Sequence, residues 1–440
     1  MSLKVELFIE STSGNFLTLD YGELLDESSV ALTDESDNAL AADGLPGSGA
    51  LDDVNALLGG GTGAFGIPTD ITSYVHHTSV IRGRSRELDE FQAGTCRLSL
   101  RNQDRTWDPS PWQTTGALGS IRPGKRLRVT EGTTVIFDGI VEDYDYEWSP
   151  GGLPEASLIA VDALGKLGRQ TFLEWTTAVD QKPGARIGAV LDRTEVAFPT
   201  GSRDLDEGIN VLQSDAVSYG SNVLNYLQLV AKSDAGRLFA SRTGVLTYRS
   251  RDRLITGSVV AAFDDTNTNI QFNGLDVVFG SELLFTKVTI DREGGIAQTA
   301  TAAASVITEF GVRPYPDTTP LLINDDTVSA GMAGYLLGRY QEPEAAISGL
   351  TLILDRLTSG EIATVAALEV GDLVTVDWTP GLPASGSAVS QTLVVEGVGY
   401  DADAGGARTI GLQMSSAADR YGLILDDALF GLLDTAKVAY

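Results

Sequence analysis

The side chains that most often carry catalysis are scarce in this chain of 440 residues. It has one cysteine, Cys96, and two adjacent histidines, His76 and His77. Neighbouring strand residues point to opposite faces, so the two histidines cannot both serve one site from regular strand backbone. A serine–histidine–acid triad would need one of them. A single cysteine excludes an intramolecular disulfide framework and any cysteine-rich metal or iron–sulfur site.

Acidic residues are abundant, but none stands in a recognisable catalytic context. The 60 acids could supply many glycosidase-type pairs. Asp264, Asp265, Asn267 and Asn269 offer calcium-type oxygen ligands, yet this segment lacks the turn glycine and the closing glutamate, so we predict an ordinary loop. Neither a phosphate-binding G-x-x-x-x-G-K-[ST] loop nor an H-E-x-x-H helix is present, and glycine-rich residues 57–66 are predicted to be a linker. The sequence predicts a non-enzyme with no catalytic, cofactor-binding or metal-binding residues and no cofactor.

The charge balance excludes another class of function. Sixty acids against 31 bases give a net charge of −29, which rules out a protein that coats nucleic acid through excess lysine and arginine. No apolar run approaches the roughly 18–20 residues of a membrane span, and the N-terminus lacks the pattern of a secretion signal. We therefore expect a chain made in the cytoplasm without membrane insertion; the single cysteine fits a reducing compartment.

Composition and pattern predict five segments. Residues 1–72 carry 13 acids and one base and are predicted to form an acidic N-terminal arm or linker; the alternative is an arm that orders against a partner. Residues 73–159 alternate short strands with glycine turns, as a first β-barrel domain would. Residues 160–265 combine helix and strand patterns and are predicted to form an α+β insertion. Residues 266–418 are predicted to form a second barrel with a helical insertion near 300–345, followed by a C-terminal segment, 419–440.

Local signals place several elements in the middle of the chain. Apolar spacing predicts a helix over 184–198 and another capped by Ser221. Two strands are predicted around the turn Arg242-Thr243-Gly244, and a third helix over 327–340 is weakened by its three glycines. A basic stretch, residues 80–130, has ten bases against five acids and could be either a subunit contact or a solvated face.

Two parts of the chain share landmarks in the same order. Residues 94–102 and 349–357 are each followed by a glycine turn that opens a strand, at Gly124 and Gly371. Each copy continues with a strand broken by an acid–glycine pair, Asp138-Gly139 or Glu396-Gly397. Glycine inside a strand marks a bend, as a small barrel needs at a corner. The sequence thus predicts a mainly β protein with an α+β insertion and two similar small β-barrels of the same strand order, their glycine turns and bends coinciding.

Residues 71–109 carry the most specific motif. The run R-G-R-S-R-E-L-D at 82–89 is followed by F-Q-A-G-T at 91–95 and by N-x-D-R-x-x-D-P at 102–109. This order resembles the front domain of minor tail proteins of long-tailed phages that infect actinobacteria. Residues 224–251 and 424–440 are similar to the middle and closing sections of such proteins, so the resemblance covers most of 71–440.

The resemblance implies a structural role at the tail tip of a virion. Such baseplate hub proteins are similar in architecture to the hubs of contractile tails, which are trimers with two barrels per chain, and the family brings no catalytic residues. The implied partners are two further copies, in a homotrimer, a distal tail protein or tail-tube ring, other minor tail or tip-fibre proteins, and a tape measure protein. DNA would pass through without specific binding.

Six barrels in a trimer could sit under a six-fold tube. An acidic channel would repel the DNA backbone. Two alternatives remain open. A receptor- or carbohydrate-binding tail protein would present clustered aromatic side chains, whereas the five tryptophans are dispersed in sequence. A tail-associated cell-wall hydrolase would need a positioned acid pair or a histidine or cysteine centre.

Overall fold

A computed structural model describes residues 3–9, 67–109, 121–148, 153–251, 257–381, 388–406 and 408–417. The chain divides into two compact units. Unit 1 comprises 1–79, 96–161 and 403–405, and unit 2 comprises 80–95, 162–402 and 406–440. Most of the predicted acidic arm, the glycine-rich linker at 57–66 and the C-terminal segment 419–440 lie outside the described residues.

Unit 1 is built on a sheet of seven strands. The strands are 4 to 14 residues long, and every one contains β-branched or aromatic residues, which favour extended backbone. In chain order they are β1 (Leu3–Ile9), β2 (Ile67–Asp70), β3 (Val75–Gly83), β4 (Gln92–Arg101), β5 (Arg126–Glu131), β6 (Thr134–Glu147) and β7 (Glu155–Val161). The hydrogen-bonded order is β2-β1-β5-β6-β7-β4-β3. Leu98, Leu127, Phe137 and Leu158 are fully buried on this sheet, so period-two alternation sets its core face.

The first part of unit 2 packs three helices on short strands. The elements are α1 (Ala163–Leu167), β8 (Trp175–Thr176), α2 (Pro183–Leu191), β9 (Arg203–Leu205), β10 (Ala216–Val217), α3 (Val223–Lys232), β11 (Arg237–Ala240) and β12 (Leu246–Arg249). The predicted hairpin is confirmed, since β11 and β12 pair antiparallel around Gly244. Helices α2 and α3 bury their apolar stripes in one cluster that includes Ile187, Val190 and Leu227.

Two helix boundaries differ from the sequence expectation. Helix α2 ends at Leu191 rather than at residue 198. The Leu191 carbonyl oxygen accepts hydrogen bonds from the backbone N–H of Phe198 and from the Arg203 guanidinium, so it is not available to a further helical turn. The cap of α3 is Asn222, not Ser221. Its side chain accepts the backbone N–H of Asn225 at 3.0 Å.

The remainder of unit 2 holds a second large sheet with helices inserted into it. Its elements are β13 (Val259–Asp264), β14 (Ile270–Gln271), β15 (Gly274–Phe279), β16 (Lys287–Ile290), β17 (Gln298–Thr301), α4 (Ala304–Phe310), α5 (Asp326–Tyr340), β18 (Ala345–Ile353), α6 (Ser359–Ala366), β19 (Leu373–Trp378), β20 (Val389–Asp403) and β21 (Arg408–Ser416). The order is β14-β13-β19-β20-β21-β18-β15. Strands β16 and β17 form a separate hairpin. The helix predicted over 327–340 is α5.

The two sheets repeat one strand order. In unit 1 the run is β5-β6-β7-β4-β3, and in unit 2 it is β19-β20-β21-β18-β15. The predicted glycine turns also correspond: Gly124 and Gly371 have φ values of +91° and +94°. Gly124 N–H donates to Val141 O at 2.7 Å, and Gly371 N–H donates to Val395 O at 2.8 Å. The repeat therefore extends from strand order to hydrogen bonds.

The predicted coincidence of the Gly139 and Gly397 bends is wrong. Register shifts follow Val141 in β6 and Val395 in β20, so the extra residues are Glu142 and Glu396. Gly139 pairs with Leu127 of β5. The residue at the equivalent position of β20 is Leu393, which pairs with Val374 of β19, and not Gly397. The sequence suggested a bend at each acid–glycine pair. The actual bulges depend on how β6 pairs with β7 and how β20 pairs with β21.

The fold class is mainly β with a few helices, as predicted. The hydrogen-bonded strand order is open in each unit over the described residues, and no closed barrel is detected there. Two closed barrels therefore stay a prediction. No helix in the described part of the chain has the length and apolarity that crossing a membrane requires.

The glycine turns generate a stability prediction. Gly124→Ala and Gly371→Ala should each lower the free energy of unfolding by about 1–2 kcal/mol, because a Cβ disfavours the positive φ of both residues. At Gly124 the space around the added Cβ is open, so the loss there comes from the backbone conformation alone. Urea unfolding monitored by circular dichroism measures this change. Gly188→Ala is the control: Gly188 lies in α2 with equally open space, so alanine should be neutral or stabilising there. Equal effects at all three positions would contradict the turn assignment.

Candidate functional site

The R-G-R-S-R-E-L-D motif begins at a close backbone crossing in unit 2. Gly83 has φ +92°, and a Cβ there would lie 2.3 Å from the carbonyl oxygen of Glu396. Gly397 is equally crowded, since its Cβ would lie 2.6 Å from Arg84 O. Arg84 N–H donates to Glu396 O at 2.9 Å. Only glycine at 83 and 397 lets these two backbones approach so closely.

A carboxylate with no solvent exposure lies at this crossing. Glu396, the bulge residue of β20, accepts Arg84 Nε at 2.8 Å and Arg237 Nη2 at 2.7 Å. Ser415 Oγ donates to the same carboxylate at 2.5 Å. A buried carboxylate is tolerated only when it is paired and hydrogen-bonded in this way. We call Glu396, Arg84, Arg237 and Ser415 the Glu396 cluster.

A second acid anchors the first arginine of the motif. Glu369 Oε1 accepts Arg82 Nη1 at 2.5 Å, and its other oxygen accepts the backbone N–H of Arg242 at 2.7 Å. The Glu369 N–H in turn donates to Asp372 at 2.8 Å. Burial raises the pKa of Asp372, and the charge of Glu369 adds to the rise. These contacts fix the turn that opens β19.

The rest of the motif continues this pattern of pairing. Arg86 contacts Asp89 and Glu282. Arg339 lies 3.6 Å from Glu87 and 2.5 Å from Glu344. Burial acts to lower the pKa of Arg339, but the two glutamates raise it overall, so this guanidinium stays charged.

The F-Q-A-G-T turn is also structural. Phe91 packs against Phe239 with ring centroids 6.0 Å apart. Gly94 N–H donates to the buried carboxylate of Asp162 at 2.7 Å, and Asp162 caps α1 by accepting Leu164 N–H. Burial raises the pKa of Asp162 to about 7, although these backbone N–H groups favour its charged form.

The N-x-D-R-x-x-D-P segment closes on itself in unit 1. The buried Asn102 donates to Asp108 at 2.9 Å and accepts the backbone N–H of Trp107 at 2.9 Å. Arg105 Nε donates to the second oxygen of Asp108 at 2.7 Å. Trp107 is fully buried and packs edge-on against Tyr74. The motif residues that suggested a family thus hold loops together.

The residues weighed as catalytic candidates do not converge. His76 lies 3.8 Å from Glu155, whereas His77 contacts Asp403 at 2.9 Å, so the two rings have different partners, as strand geometry predicts. Cys96 is buried, and burial raises the pKa of its thiol.

The segment weighed as a calcium loop folds around its own carboxylate. Asp264 is buried, and its oxygens accept the backbone N–H groups of Thr266, Thr268 and Asn269. This arrangement gives the predicted ordinary loop, with the carboxylate committed to backbone donors.

Unit 2 also contains a cavity of about 1260 Å³ that sequence reasoning missed. Its wall is formed by Arg84 and residues 87–91 of the motif segment, by α3 and by α5, on which Gly331, Gly334 and Gly338 line one side. None of the described residues that line it is a histidine, cysteine or serine. Four of its bases are ion-paired: Arg84 and Arg237 with Glu396, Lys232 with Asp317, and Arg339 with Glu344. The spacing of the three α5 glycines, on one helical face, was the sequence signal for this open side.

Sequence reasoning also missed the Glu396 cluster itself. The signal was present in the run T-L-V-V-E-G-V-G-Y at 392–400, where a single acid stands in an apolar strand. Such an acid is nearly always paired when buried. Its partners could not be identified from sequence, because Arg84 lies 312 residues away.

The sequence matches no family model and no curated protein. The fold, by contrast, has solved counterparts. The 43 kDa tail protein of prophage MuSo2 from Shewanella oneidensis is 16% identical, with a TM-score of 0.52 over 80% of this chain and 96% of that one. A tail protein from Neisseria meningitidis MC58 is 13% identical, with a TM-score of 0.55 over 79% and 93%. The fold of this chain resembles that of these two tail proteins.

A third similar structure has a lower score. It is an E. coli component of the type VI secretion system described as structurally similar to the T4 tail proteins gp27 and gp5. It is 11% identical, with a TM-score of 0.47, over 79% of this chain and 75% of that one.

The Glu396 cluster generates a second prediction. Glu396→Gln should lower the free energy of unfolding by about 3 kcal/mol or more, because it removes the negative charge that binds Arg84 and Arg237 at a site with no solvent exposure. Chemical denaturation at neutral pH measures the loss. Asp355→Asn is the control, since Asp355 pairs with Arg408 at a partly exposed site and should cost under about 1 kcal/mol. A similar loss of unfolding free energy in both variants would show that the Glu396 cluster stabilises the protein no more than an exposed ion pair does.

Proposed function

We propose that this chain is a structural baseplate hub protein of a phage tail tip, of the kind found in long-tailed phages of actinobacteria. The repeated strand order carries the proposal. One chain supplies two sheets of the same order, with matching glycine turns and bulges. A homotrimer then offers six similar positions, which suits a junction between a six-fold tail tube and a three-fold tip.

Two further observations support this role. Over about four fifths of the chain, the fold resembles the prophage tail protein from Shewanella oneidensis and the tail protein from Neisseria meningitidis. The net charge of −29 suits a channel wall past which DNA must move without adhering. The proposed neighbours are a distal tail protein or tube ring on one side, and tip-fibre or other minor tail proteins and a tape measure protein on the others. The α+β segment, 160–265, is proposed to lie outside the channel.

The proposal predicts the symmetry of the assembled protein. Purified chain should form trimers, alone or once a tail partner is added, and averaged electron-microscope images should show three-fold density at the tail tip. Light scattering coupled to gel filtration gives the mass, and particles assembled without this chain are the control. A stable two-fold dimer, with the strands of both sheets buried in its interface, would contradict the hub.

One observation favours carbohydrate binding as a second function. Tyr146 and Trp148 stack at the end of β6 with centroids 5.4 Å apart and planes 8° apart, and Trp148 is 50% exposed. Stacked rings of this kind present an apolar face to which a sugar ring could bind. The function predicts that Trp148→Ala abolishes retention on host cell-wall polysaccharide, whereas Trp378→Ala leaves it unchanged. Unaltered retention of the Trp148 variant would dismiss it.

A further inference from the structure

The outer edge of β15 is exposed and apolar. Val277, Val278 and Phe279 are 43%, 53% and 70% exposed. Strand β15 pairs with β18 on one side, and no strand among the described residues pairs with its other side. Proteins usually protect such edges with lysine, proline or a bulge. Strand β15 has no lysine or proline, and the register shift after Asp276 places the extra residue, Ser348, in the inner neighbour β18. An edge that carries Val-Val-Phe instead is suited to accept another strand.

The counterpart of β15 shows what kind of strand such an edge accepts. Strand β3 occupies the same place in the repeated order, next to β4. Within unit 2, its last residues, 80–83, and Arg84 lie along the part of β20 that follows the bulge. Arg84 N–H donates to Glu396 O, and Gly397 approaches Arg82 O and Arg84 O. The outer edge of β3 therefore lies next to the residues of β20 that follow the bulge at Glu396. By the repeat, we expect the outer edge of β15 to accept residues that follow the equivalent glutamate bulge.

A second stretch of that kind is available in unit 1. Strand β6 is the counterpart of β20, and Glu142 is its bulge residue. Residues 143–147 beyond the bulge pair with β7 on one side. No strand in the described part of the chain pairs with their other side. Among the described residues, the repeat thus has one open edge of each kind.

We propose that β6 of one copy of this chain adds, through residues 143–147, to the outer edge of β15 in a second copy. This inference rests on the proposed hub function and specifies the contact between its protomers. The contact is heterologous, because β6 on one copy meets β15 on the next. Such contacts close into a ring when the rotation permits. Backbone hydrogen bonds supply the binding energy, and the alternate side chains supply specificity.

The charges at the two edges allow a test in which an acidic and a basic substitution on β15 should have opposite effects on assembly. Asp143, Asp145 and Glu147 are exposed on β6, whereas 274–279 contains one acid, Asp276, and no base. A new acid on β15 would face these carboxylates, and a new base would be attracted to them. Opposite and like charges across a strand pair differ by up to about 1 kcal/mol, roughly fivefold in affinity.

The first experiment forms disulfides across the proposed contact. A chain with Val278→Cys is mixed with a chain carrying Asp143→Cys, Asp145→Cys or Glu147→Cys, and the mixture is oxidised under native conditions. Facing strand residues are close enough for at least one pair to form a disulfide between chains. Cys96 is buried and should stay reduced. Val312→Cys, at a similarly exposed valine outside the sheets, should give no such product with any of the three.

The second experiment changes the charge at Val278. Val278→Glu should raise the concentration for half-assembly about fivefold, whereas Val278→Lys should not raise it. Asp145→Lys should restore assembly of the Val278→Glu chain. Val312→Glu is the matched control and should assemble as the unmodified chain does. Sedimentation over a concentration series measures each midpoint, and circular dichroism confirms that every variant is folded.

The outcomes separate this contact from the hub itself. A protein that forms trimers yet gives no disulfide with any of the three pairs, and tolerates Val278→Glu, overturns the β6–β15 contact alone. A chain that stays monomeric at every concentration and with tail partners overturns both proposals. Equal weakening by Val278→Glu and Val278→Lys also overturns the contact with β6, because it shows a need for apolar surface without acidic neighbours.

Discussion

The ion pairing of Glu396 is the interaction on which much of unit 2 depends. An ionised carboxylate out of contact with water is strongly unfavourable unless charged donors surround it. Arg84 and Arg237 supply those donors, and Ser415 adds a third. Through them, one side chain joins the motif segment, β11, β20 and β21. Its position on a bulge explains the arrangement, because the extra residue turns the carboxylate toward its partners.

Glycine makes this cluster possible. The backbones at Gly83 and Gly397 approach within distances that a Cβ would not permit. Polar side chains can meet at a crossing only if the main chains first come close. The R-G-R pattern therefore has a simple physical meaning, in which the glycine allows the crossing and each flanking arginine finds a separate acid, Glu369 or Glu396.

The repeated sheets show how one strand order serves two settings. The order, the glycine turns and the bulges are shared, whereas the additions differ. In unit 1, β1 joins β5 antiparallel; in unit 2, β13 joins β19 parallel. Between β15 and β18 the chain inserts a hairpin and two helices, while the equivalent link from β3 to β4 is short. Insertions of this kind lie in connections, where they leave the ladder hydrogen bonds intact.

The sequence by itself determined the local elements. Strands β3 to β6, the β11–β12 hairpin and α5 follow from apolar periodicity and turn residues, which act within a few positions of the chain. It also determined the scarcity of catalytic side chains and the existence of a repeat.

Only the tertiary structure decided where helix α2 stops, because the Leu191 carbonyl accepts hydrogen bonds from Arg203 and Phe198. The bulges at Glu142 and Glu396 were likewise decided by ladder register, and the partners of Glu396 by contacts between segments up to 312 residues apart. Register and long-range ion pairs depend on which strands meet, and no local pattern encodes that meeting.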